Sequence, residues 1–427
     1  MAAYEGYVDV KYKPHKDDLI CRFYMEPKYG TPFEHAASAV AAESSIGTWT
    51  DISTNKSYMK RLAAHVFHMD PHSGYIDIAY PLDAFEKRNV PQMLSSIAGN
   101  IFGMREVSNL RLYDIKFPKK MLEWYDGPHF GIAGVRKLLK VKKRPLVGTI
   151  IKPKMGLNPR DHAKVAYDAW IGGCDLVKDD ENLTGQKFNP FEKRFLTTIK
   201  ARDRAEKKTG EKKMYMVNVT APGKEMLRRA KFVHDNGGEY MMVDILTVGW
   251  SALEDLHDFN HKLKLVVHEH RAMHAALTRN PKHGIAMLPI AKLTRMIGFD
   301  QLHAGTIVGK MVGGVEEVTE VVSAIRDAVT PAQGLTLGQD WNGMKPTFPV
   351  ASGGLHPGHI PKLIEFLGTD VILQFGGGIH GNKLGTRLGA VAARQAVDAV
   401  MEGIPLTDYA KTRPELESTI NQWGVKE

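Results

Sequence analysis

The chain of 427 residues lacks the features of membrane-spanning, exported and disulfide-stabilised proteins. It has no apolar run of about 18 residues, the length that a spanning helix needs. Residues 1–11 contain no apolar core of the signal-peptide kind. The only two cysteines, Cys21 and Cys174, are far apart in sequence, so we expect no disulfide framework. These absences predict a cytoplasmic protein without a membrane partner.

Signatures of nucleic-acid recognition are absent as well. The formal net charge is +9, but the basic residues are dispersed and the short basic clusters at 142–144 and 207–208 are separated by acids. No zinc-finger spacing, basic-region heptad or aromatic RNA-binding signature occurs. A diffuse positive field also suits a small anionic substrate. We therefore expect no nucleic-acid partner.

Residues 1–130 are predicted to form an α+β domain. Strand patterns occur at 7–12, 18–25, 75–80 and 109–117, and helical patterns at 33–43 and 92–100. Such a mixture is typical of a ferredoxin-like domain with an antiparallel sheet. A Tyr-Asp-Gly-Pro turn at 125–128 marks the expected boundary.

Residues 131–427 alternate between strand and helix patterns and are predicted to form the second domain. In the first helical pattern, Asn158 can cap the helix, Pro159 suits its first turn, and two glycines at 172–173 end it. Eight strand-like runs lie at 145–151, 174–177, 214–219, 240–245, 263–268, 301–303, 347–351 and 371–375. This alternation predicts a parallel (β/α)8 TIM barrel. An open doubly wound sheet is the alternative, but no Gly-x-Gly-x-x-Gly follows the first strand.

The segment 172–182 places one lysine and three acids at the end of a short apolar run. In isolation, such a cluster is most often a solvated turn. At the carboxyl end of the second barrel strand, it would instead face the mouth where barrel active sites lie. Asp180, Glu181 and a carbamylated Lys178 would then form a site for Mg2+. The carbamate requires a neutral amine, which desolvation favours.

The other predicted strands also end in polar residues or glycines. Lys152, Lys154 and His270 are candidates for proton transfer. The glycines after the seventh and eighth strands could bind a phosphate through backbone N–H groups. Arg271 and His303 would supply a second cationic pole, so we expect a substrate with two phosphates, or alternatively a dicarboxylate.

Together these residues resemble the large subunit of ribulose-1,5-bisphosphate carboxylase/oxygenase (RuBisCO). The similar segments lie in family order at 41–50, 148–157, 172–182, 270–275, 303–310, 350–354 and 374–378. The chain length and the segment 404–424 look most similar to the archaeal-type (form III) enzymes. Those enzymes work without a small subunit.

The resemblance implies carboxylation, with competing oxygenation, of D-ribulose 1,5-bisphosphate to 3-phosphoglycerate through a Mg2+-bound enediolate. CO2 would also activate the enzyme as a carbamate on Lys178, which would bind the metal together with Asp180 and Glu181. Lys152 and His270 would transfer protons, and Lys310, in a glycine-flanked loop, would close over the substrate as part of a lid. The implied substrate-binding residues are Lys154, Arg271, His303, Ser352, Gly353, Gly354, Gln374, Phe375, Gly376, Gly377, Glu43, Thr48, Trp49 and Asn100.

The resemblance also implies a homodimer, or an assembly of dimers, with shared active sites. Glu43, Thr48, Trp49 and Asn100 would reach a neighbouring subunit's site, whereas the residue pattern alone indicates only packing at helix ends. An enolase or isomerase of the same family, acting on a phosphorylated sugar without CO2 fixation, is the main alternative function. A scaffold without catalysis is another, but Lys310 and the intact phosphate residues favour the carboxylase.

The chain departs from the family pattern around the lid and the second phosphate loop. Ile46 and Ala304 are unusual, the lid continues differently at 311–314, and Ile-His-Gly-Asn-Lys follows the triple glycine at 379–383. The departures leave the matched catalytic residues intact. Turnover and CO2/O2 discrimination therefore do not follow from the resemblance.

Overall fold

The structure of the chain is a computed structural model that describes residues 4–308 and 314–426. The chain divides into two compact units. One comprises Met1–Gly127, Met273–Ile297 and Asp327–Met344, and the other comprises Pro128–Ala272, Gly298–Arg326 and Lys345–Glu427. The predicted domains 1–130 and 131–427 remain predictions, because compactness alone does not define an independent folding unit.

Strands and helices alternate through most of the described residues. The strands are β1 (Leu19–Pro27), β2 (His65–Asp70), β3 (Tyr75–Tyr80), β4 (Val107–Lys116), β5 (Leu146–Ile150), β6 (Leu176–Lys178), β7 (Met214–Asn218), β8 (Tyr240–Asp244), β9 (Val266–His270), β10 (Gly284–Ile285), β11 (Gln301–Gly305), β12 (Val329–Thr330), β13 (Gln339–Asp340), β14 (Phe348–Ser352) and β15 (Ile372–Phe375). The α-helices are α1 (Phe33–Glu43), α2 (Val90–Ile97), α3 (Lys119–Leu122), α4 (Gly131–Leu139), α5 (Pro159–Ile171), α6 (Phe191–Thr209), α7 (Gly223–Asp235), α8 (Ile245–Val248), α9 (Trp250–Leu263), α10 (His274–Thr278), α11 (Met287–Ile297), α12 (Val315–Arg326), α13 (Ile360–Leu367), α14 (Gly377–His380), α15 (Thr386–Met401), α16 (Leu406–Ala410) and α17 (Pro414–Trp423). Short 3-10 helices cover Ser57–Leu62, Leu82–Ala84, Asn100–Gly103 and Pro357–His359.

The first unit contains a five-stranded sheet of order β10-β4-β1-β3-β2. Its long strands pair antiparallel, as predicted, and only the two-residue β10 runs parallel to β4. The predicted strand at 7–12 is wrong, because Val8 forms only an isolated bridge with Val66. A local turn competes with the strand: Asp9 accepts hydrogen bonds from Lys11 N at its carboxylate and from Tyr12 N at its carbonyl, both at 3.0 Å.

The second unit contains a closed barrel of eight parallel strands, so the predicted fold class is confirmed. The strands follow one another as β5, β6, β7, β8, β9, β11, β14 and β15, and β15 pairs with β5. Each predicted run overlaps one of these strands. The run at 263–268 begins too early, because Leu263 is still the last residue of α9 and the strand continues to His270.

Helix α4 closes the amino end of the barrel. Ile132, Val135 and Leu139 from α4 pack in one core cluster with the first residues of several strands, among them Leu146 and Leu176. This packing leaves the carboxyl end of the barrel for a ligand, where barrel active sites lie.

The side chain of Asp300 holds the beginning of α4. Its Oδ1 accepts hydrogen bonds from Phe130 N at 2.7 Å and Gly131 N at 3.0 Å, and its Oδ2 accepts one from Val267 N at 3.1 Å. Burial raises the pKa of Asp300 to about 6, although these N–H groups favour the charged form. The carboxylate therefore connects α4 to strand β9.

No helix among the described residues combines the length and apolarity required to cross a bilayer.

Candidate active site at the carboxyl end of the barrel

Strands β5 and β6 bring two lysines and two acids together. The strands pair in parallel with Ile150 opposite Lys178, so the residues that follow each strand lie side by side. Lys152 Nζ donates to Asp180 Oδ2 at 2.6 Å, and Lys154 Nζ lies 3.6 Å from Glu181 Oε1. The structure thus groups these predicted residues at one edge of the mouth.

Lys178 is the last residue of β6, and its side chain is fully buried. Its Nζ donates to Asp179 O at 2.7 Å and lies 3.4 Å from Met242 Sδ. Burial lowers the pKa of Lys178, and this effect exceeds the opposite effect of nearby carboxylates, led by Glu181. The neutral amine is therefore more populated than in an exposed lysine.

His270, at the end of β9, lies between two acids. Its Nδ1 is 3.0 Å from Asp244 Oδ1, at the end of β8, and its Nε2 is 3.7 Å from Glu181 Oε2. Burial alone would raise the pKa of Glu181, but His270, Lys178 and Lys154, in their protonated forms, outweigh burial and lower the pKa to about 2. Glu181 is therefore a carboxylate at neutral pH. The sequence placed Asp244 at a strand end but gave it no role.

Asp179 has a different environment from its two acidic neighbours. It is fully buried and accepts hydrogen bonds from four groups: His162 Nε2 at 3.0 Å, Tyr215 OH at 2.9 Å, Arg194 Nε at 3.0 Å and Asn218 N at 3.0 Å. Burial alone would raise the pKa of Asp179, but Arg194 and His162 hold it well below its usual range. These contacts satisfy the carboxylate, which leaves Asp180 and Glu181 as the acids available to a ligand.

A hydrogen-bonded chain connects two buried histidines across β9, β11 and β14. Gln301 Oε1 lies 2.9 Å from His268 Nδ1, His268 Nε2 lies 2.8 Å from His303 Nε2, and His303 Nδ1 lies 2.6 Å from Ser352 Oγ. If His268 Nδ1 donates to the Gln301 oxygen, His303 Nε2 must donate to His268, and Ser352 must donate to His303 Nδ1. Sequence reasoning missed Gln301 and gave His268 no role.

The protonation of His303 differs from the cationic role expected from the sequence. Burial, followed by the charge of His268, lowers the pKa of His303 well below its ordinary value. His303 is therefore neutral in this arrangement. The reason is that the polar strand end is enclosed by other side chains, which a sequence pattern does not reveal.

Arg271 supplies the positive charge on this side of the mouth. Burial lowers its pKa to about 10, and Glu317 only partly offsets this effect. Within the described ranges, 4–308 and 314–426, Arg271 forms no ion pair with a carboxylate at 4.0 Å or less. The guanidinium stays charged at neutral pH, so it is suited to an anionic ligand.

The ends of β14 and β15 provide the glycine loops and a buried amide. Gly353 and Gly354 have φ values of +120° and +71°, which L-amino acids with side chains rarely adopt. Gln374 is 1% exposed, and neither atom of its amide has a hydrogen-bond partner among the described residues. A side chain at Gly148 would meet Gln374 Oε1 at 2.5 Å, so this glycine makes room for the amide.

His380 anchors the loop that departs from the family pattern. Thr149 Oγ1 donates to Phe375 O at 2.8 Å and lies 2.9 Å from His380 Nε2, while His380 Nδ1 lies 3.0 Å from Thr386 Oγ1. The Phe375 side chain is fully buried, so only its backbone can face a substrate. Burial lowers the pKa of His380 to about 4, which makes it neutral at physiological pH. No periodic signal in the sequence identifies this anchor.

Four predicted substrate residues belong to the other compact unit. Glu43 ends α1 and accepts a hydrogen bond from Tyr4 OH at 3.0 Å. Thr48 is half-buried, Trp49 is 75% exposed and Asn100 is exposed. Their role in a neighbouring subunit's site stays a prediction. The predicted lid residue Lys310 lies outside the described residues.

Comparisons with known proteins cover nearly the whole chain. Residues 131–423 match the family model for the ribulose bisphosphate carboxylase large chain, catalytic domain, and residues 6–121 match the model for its N-terminal domain. The ribulose bisphosphate carboxylase of Methanosarcina mazei is 52% identical over 424 residues, which are 98% of this chain and 99% of the relative. That of Pyrococcus abyssi is 47% identical over 423 residues, covering 99% of this chain and 97% of the relative.

Solved structures that are similar to the chain over nearly its whole length are also ribulose bisphosphate carboxylases. The dimeric archaeal Rubisco from Hyperthermus butylicus has a TM-score of 0.94 and 45% sequence identity, covering 99% of this chain and 100% of that chain. The octameric enzyme from Pyrococcus horikoshii OT3, in complex with sulfate ion, has a TM-score of 0.92 and 45% identity, covering 99% and 97%.

Proposed function

Because the chain belongs to the ribulose bisphosphate carboxylase large-chain family, we propose that it carboxylates ribulose 1,5-bisphosphate at the mouth of its barrel, with oxygenation as a competing reaction. The observation that carries the proposal is Lys178. A fully buried lysine with a lowered pKa ends the second barrel strand and is followed by two carboxylates that face the mouth. A solvated turn would have none of these properties.

Activation is proposed to begin with CO2 at Lys178. The neutral amine would attack CO2, forming an N–C bond and releasing one proton, to give an anionic carbamate. The carbamate, Asp180 and Glu181 would offer three anionic oxygen ligands, a donor set that suits Mg2+. The metal would supply a Lewis acid that makes the C–H beside a substrate carbonyl more acidic.

Lys152 and His270 are proposed to move protons at the substrate. Lys152 is 28% exposed, and its amine points to the same carboxylate that would hold the metal. His270 Nδ1 lies 3.0 Å from Asp244 Oδ1 and 3.2 Å from Ala272 N. In the neutral tautomer that donates from Nδ1 to Asp244, Nε2 is unprotonated and able to act as a base. The two groups approach the site from opposite sides of the barrel, β5 and β9.

The two phosphates are proposed to bind at opposite sides of the mouth. Arg271 would hold one, positioned with Ser352 and His303. Lys154 and the backbone of Gly353, Gly354, Gly376 and Gly377 would contribute to the other binding region, with Gln374 and Phe375 lining the substrate. Lys310 would close over the reacting carbon.

We further propose a homodimer, or an assembly of dimers, that works without a small subunit and shares its active sites. Glu43, Thr48, Trp49 and Asn100 would serve the partner's barrel. The dimeric and octameric relatives support this proposal. A cytoplasmic location is proposed because both cysteines are free and buried thiols.

The activity is tested by incubating the purified protein with Mg2+, ribulose 1,5-bisphosphate and labelled bicarbonate. We expect acid-stable label in 3-phosphoglycerate, and its loss in Lys178→Ala. Lys164→Ala is the control, because Lys164 is an exposed lysine on α5 whose Nζ pairs with Asp168 on the same helix. If the substrate is isomerised without incorporation of label, the enolase or isomerase function replaces the carboxylase.

A further inference from the structure

A cluster of metal-binding side chains lies at the end of α9, away from the proposed active site. It consists of His257, Asp258 and His261, and one ligand atom from each lies within 4.8 Å of the other two. Helix α9 ends at Leu263 and leads into the beginning of β9. The cluster is therefore at the amino end of the barrel, whereas the proposed catalytic residues are at the carboxyl end.

The spacing of the two histidines suits a shared ion. Residues i and i+4 lie on the same face of a helix, and the rings of His257 and His261 have centroids 4.8 Å apart and an interplanar angle of 81°. With Zn–N bonds of about 2 Å, two coordinated rings have centroids about 5 Å apart. The rings thus need little movement to share one ion.

Asp258 supplies an oxygen donor beside the histidines. Its Oδ1 lies 3.6 Å from His257 Nδ1, which is near the separation of about 3.4 Å between neighbouring ligand atoms in a tetrahedral zinc site. His257 is buried, but Asp258 is exposed, so an ion can approach from solvent.

Some of the surrounding charges oppose a bound cation and others favour it. Lys264 follows the helix, and Lys345 Nζ donates to His129 O at 2.6 Å, with the His129 ring 6.4 Å from that of His261. These lysines oppose a cation. The Asp258 carboxylate and the carbonyl groups at the end of α9 favour one, because a helix carries partial negative charge at its carboxyl terminus.

We propose that His257, Asp258 and His261 form a Zn2+ site, with a fourth position open to water. Two imidazoles and one carboxylate suit a borderline transition metal, whereas Mg2+ prefers an all-oxygen donor set. The site would also stabilise the amino end of the barrel. The His257 ring packs against Phe299, and the next residue, Asp300, holds the beginning of α4.

The test is a Zn2+ titration of the full chain, freed of metal by chelation, against a chromogenic competing chelator. Bicarbonate-free buffer and excess Mg2+ keep the carbamate site from contributing. We expect one tight Zn2+ per wild-type chain and, in His261→Asn, a loss of affinity on the order of 100-fold. Zn2+ should also raise the melting temperature of the wild-type protein but not of this variant.

His234→Asn is the matched control. His234 is exposed at the end of α7 and lies 3.2 Å from Asp235, so it has the same histidine–aspartate pair but no second histidine one turn away. This variant should bind Zn2+ like the wild-type protein. Asp258→Asn provides a second exposed change in the cluster, and it should weaken binding without the folding risk of replacing buried His257.

Substitution of Asp180 separates this site from the active site. If tight Zn2+ binding survives in Asp180→Asn and is lost in His261→Asn, the proposal stands. Co2+ should then give the d–d absorption of a four-coordinate ion in the wild-type and Asp180→Asn proteins but not in His261→Asn. Equal Zn2+ affinity in wild-type and His261→Asn proteins, or no tight binding to the wild-type chain, would overturn it.

Discussion

The same substitution at two adjacent aspartates should affect stability in one case and activity in the other. Asp179→Asn should destabilise the barrel, whereas Asp180→Asn should abolish carboxylation with a smaller loss of stability. The reason is that Asp179 accepts four buried hydrogen bonds, while Asp180 pairs with the partly exposed Lys152. The two residues differ by one position along the chain.

The magnitude for Asp179 follows from its pairing with Arg194. Both side chains are 0% exposed, so neutralising one of them leaves the other as a buried charge without compensation. Breaking such a pair costs about 3–5 kcal/mol. The asparagine also replaces one acceptor oxygen by an N–H donor, which would face either His162 and Tyr215 or Arg194 and Asn218. For Asp180→Asn, the lost hydrogen bond joins two charged groups and is worth about 1.5–3 kcal/mol, at the lower end because Lys152 is 28% exposed.

The pH dependence gives a second test with a defined sign. Because the folded pKa of Asp179 is lowered, its contribution is complete above the ordinary aspartate pKa and is lost as pH falls through the lowered value. The difference in stability between the wild-type protein and Asp179→Asn should therefore shrink in acid.

Denaturant titration measures the free energy of unfolding of both variants, and the comparison requires equal m values. Carboxylase activity is measured on the same samples. An unchanged unfolding midpoint in Asp179→Asn, or a larger loss of stability in Asp180→Asn than in Asp179→Asn, would refute the assignment of structural and chemical roles.

Three further predictions concern the proposed site. His268→Phe should raise KM for the bisphosphate by roughly 5- to 150-fold and lower kcat by less, because a buried His303 donor without its partner costs about 1–3 kcal/mol. Equal KM values in the wild-type and variant proteins would contradict this. Activation by CO2 should increase with pH and reach half its maximum below the usual lysine range, because burial lowers the pKa of Lys178; activation only within that range would count against the carbamate. An equal mixture of inactive Glu43→Gln and Lys178→Ala chains should restore about a quarter of wild-type activity if each dimer has two shared sites, because half of the dimers are mixed and each mixed dimer has one intact site. A mixture that contains heterodimers but stays inactive would exclude shared sites.

The barrel could be predicted because its strands are buried on both faces and therefore appear as short apolar runs between helices. Strand β2 was missed for the opposite reason. It is an edge strand that contains His65 and His68, and only Val66 is buried within it. The false strand at 7–12 shows the same limit, because the alternation of its side chains does not reveal that Asp9 stabilises a turn.

The individual strand ends of the site could be predicted, but their connections could not. Lys178 and Glu181 are near each other in sequence. The position of Lys152 beside them could be predicted because β5 and β6 are consecutive strands of the barrel. The chain from Gln301 through His268 to Ser352 crosses three strands, and it exists only once β9, β11 and β14 are adjacent in the closed barrel. For the same reason, the neutral state of His303 depends on burial by residues distant in sequence.

The division of roles among Lys178, Asp179 and Asp180 follows from strand geometry. Successive side chains of an extended chain point to opposite faces. Asp179 accordingly contacts His162 on α5 and Arg194 on α6, whereas Asp180 contacts Lys152 at the mouth. A run of acids at a barrel strand end can therefore contain both a residue that attaches the strand to its helices and residues that face the substrate. Because a shift of one residue would exchange these faces, the position of Lys178 relative to the end of β6 determines which acid is available to the metal.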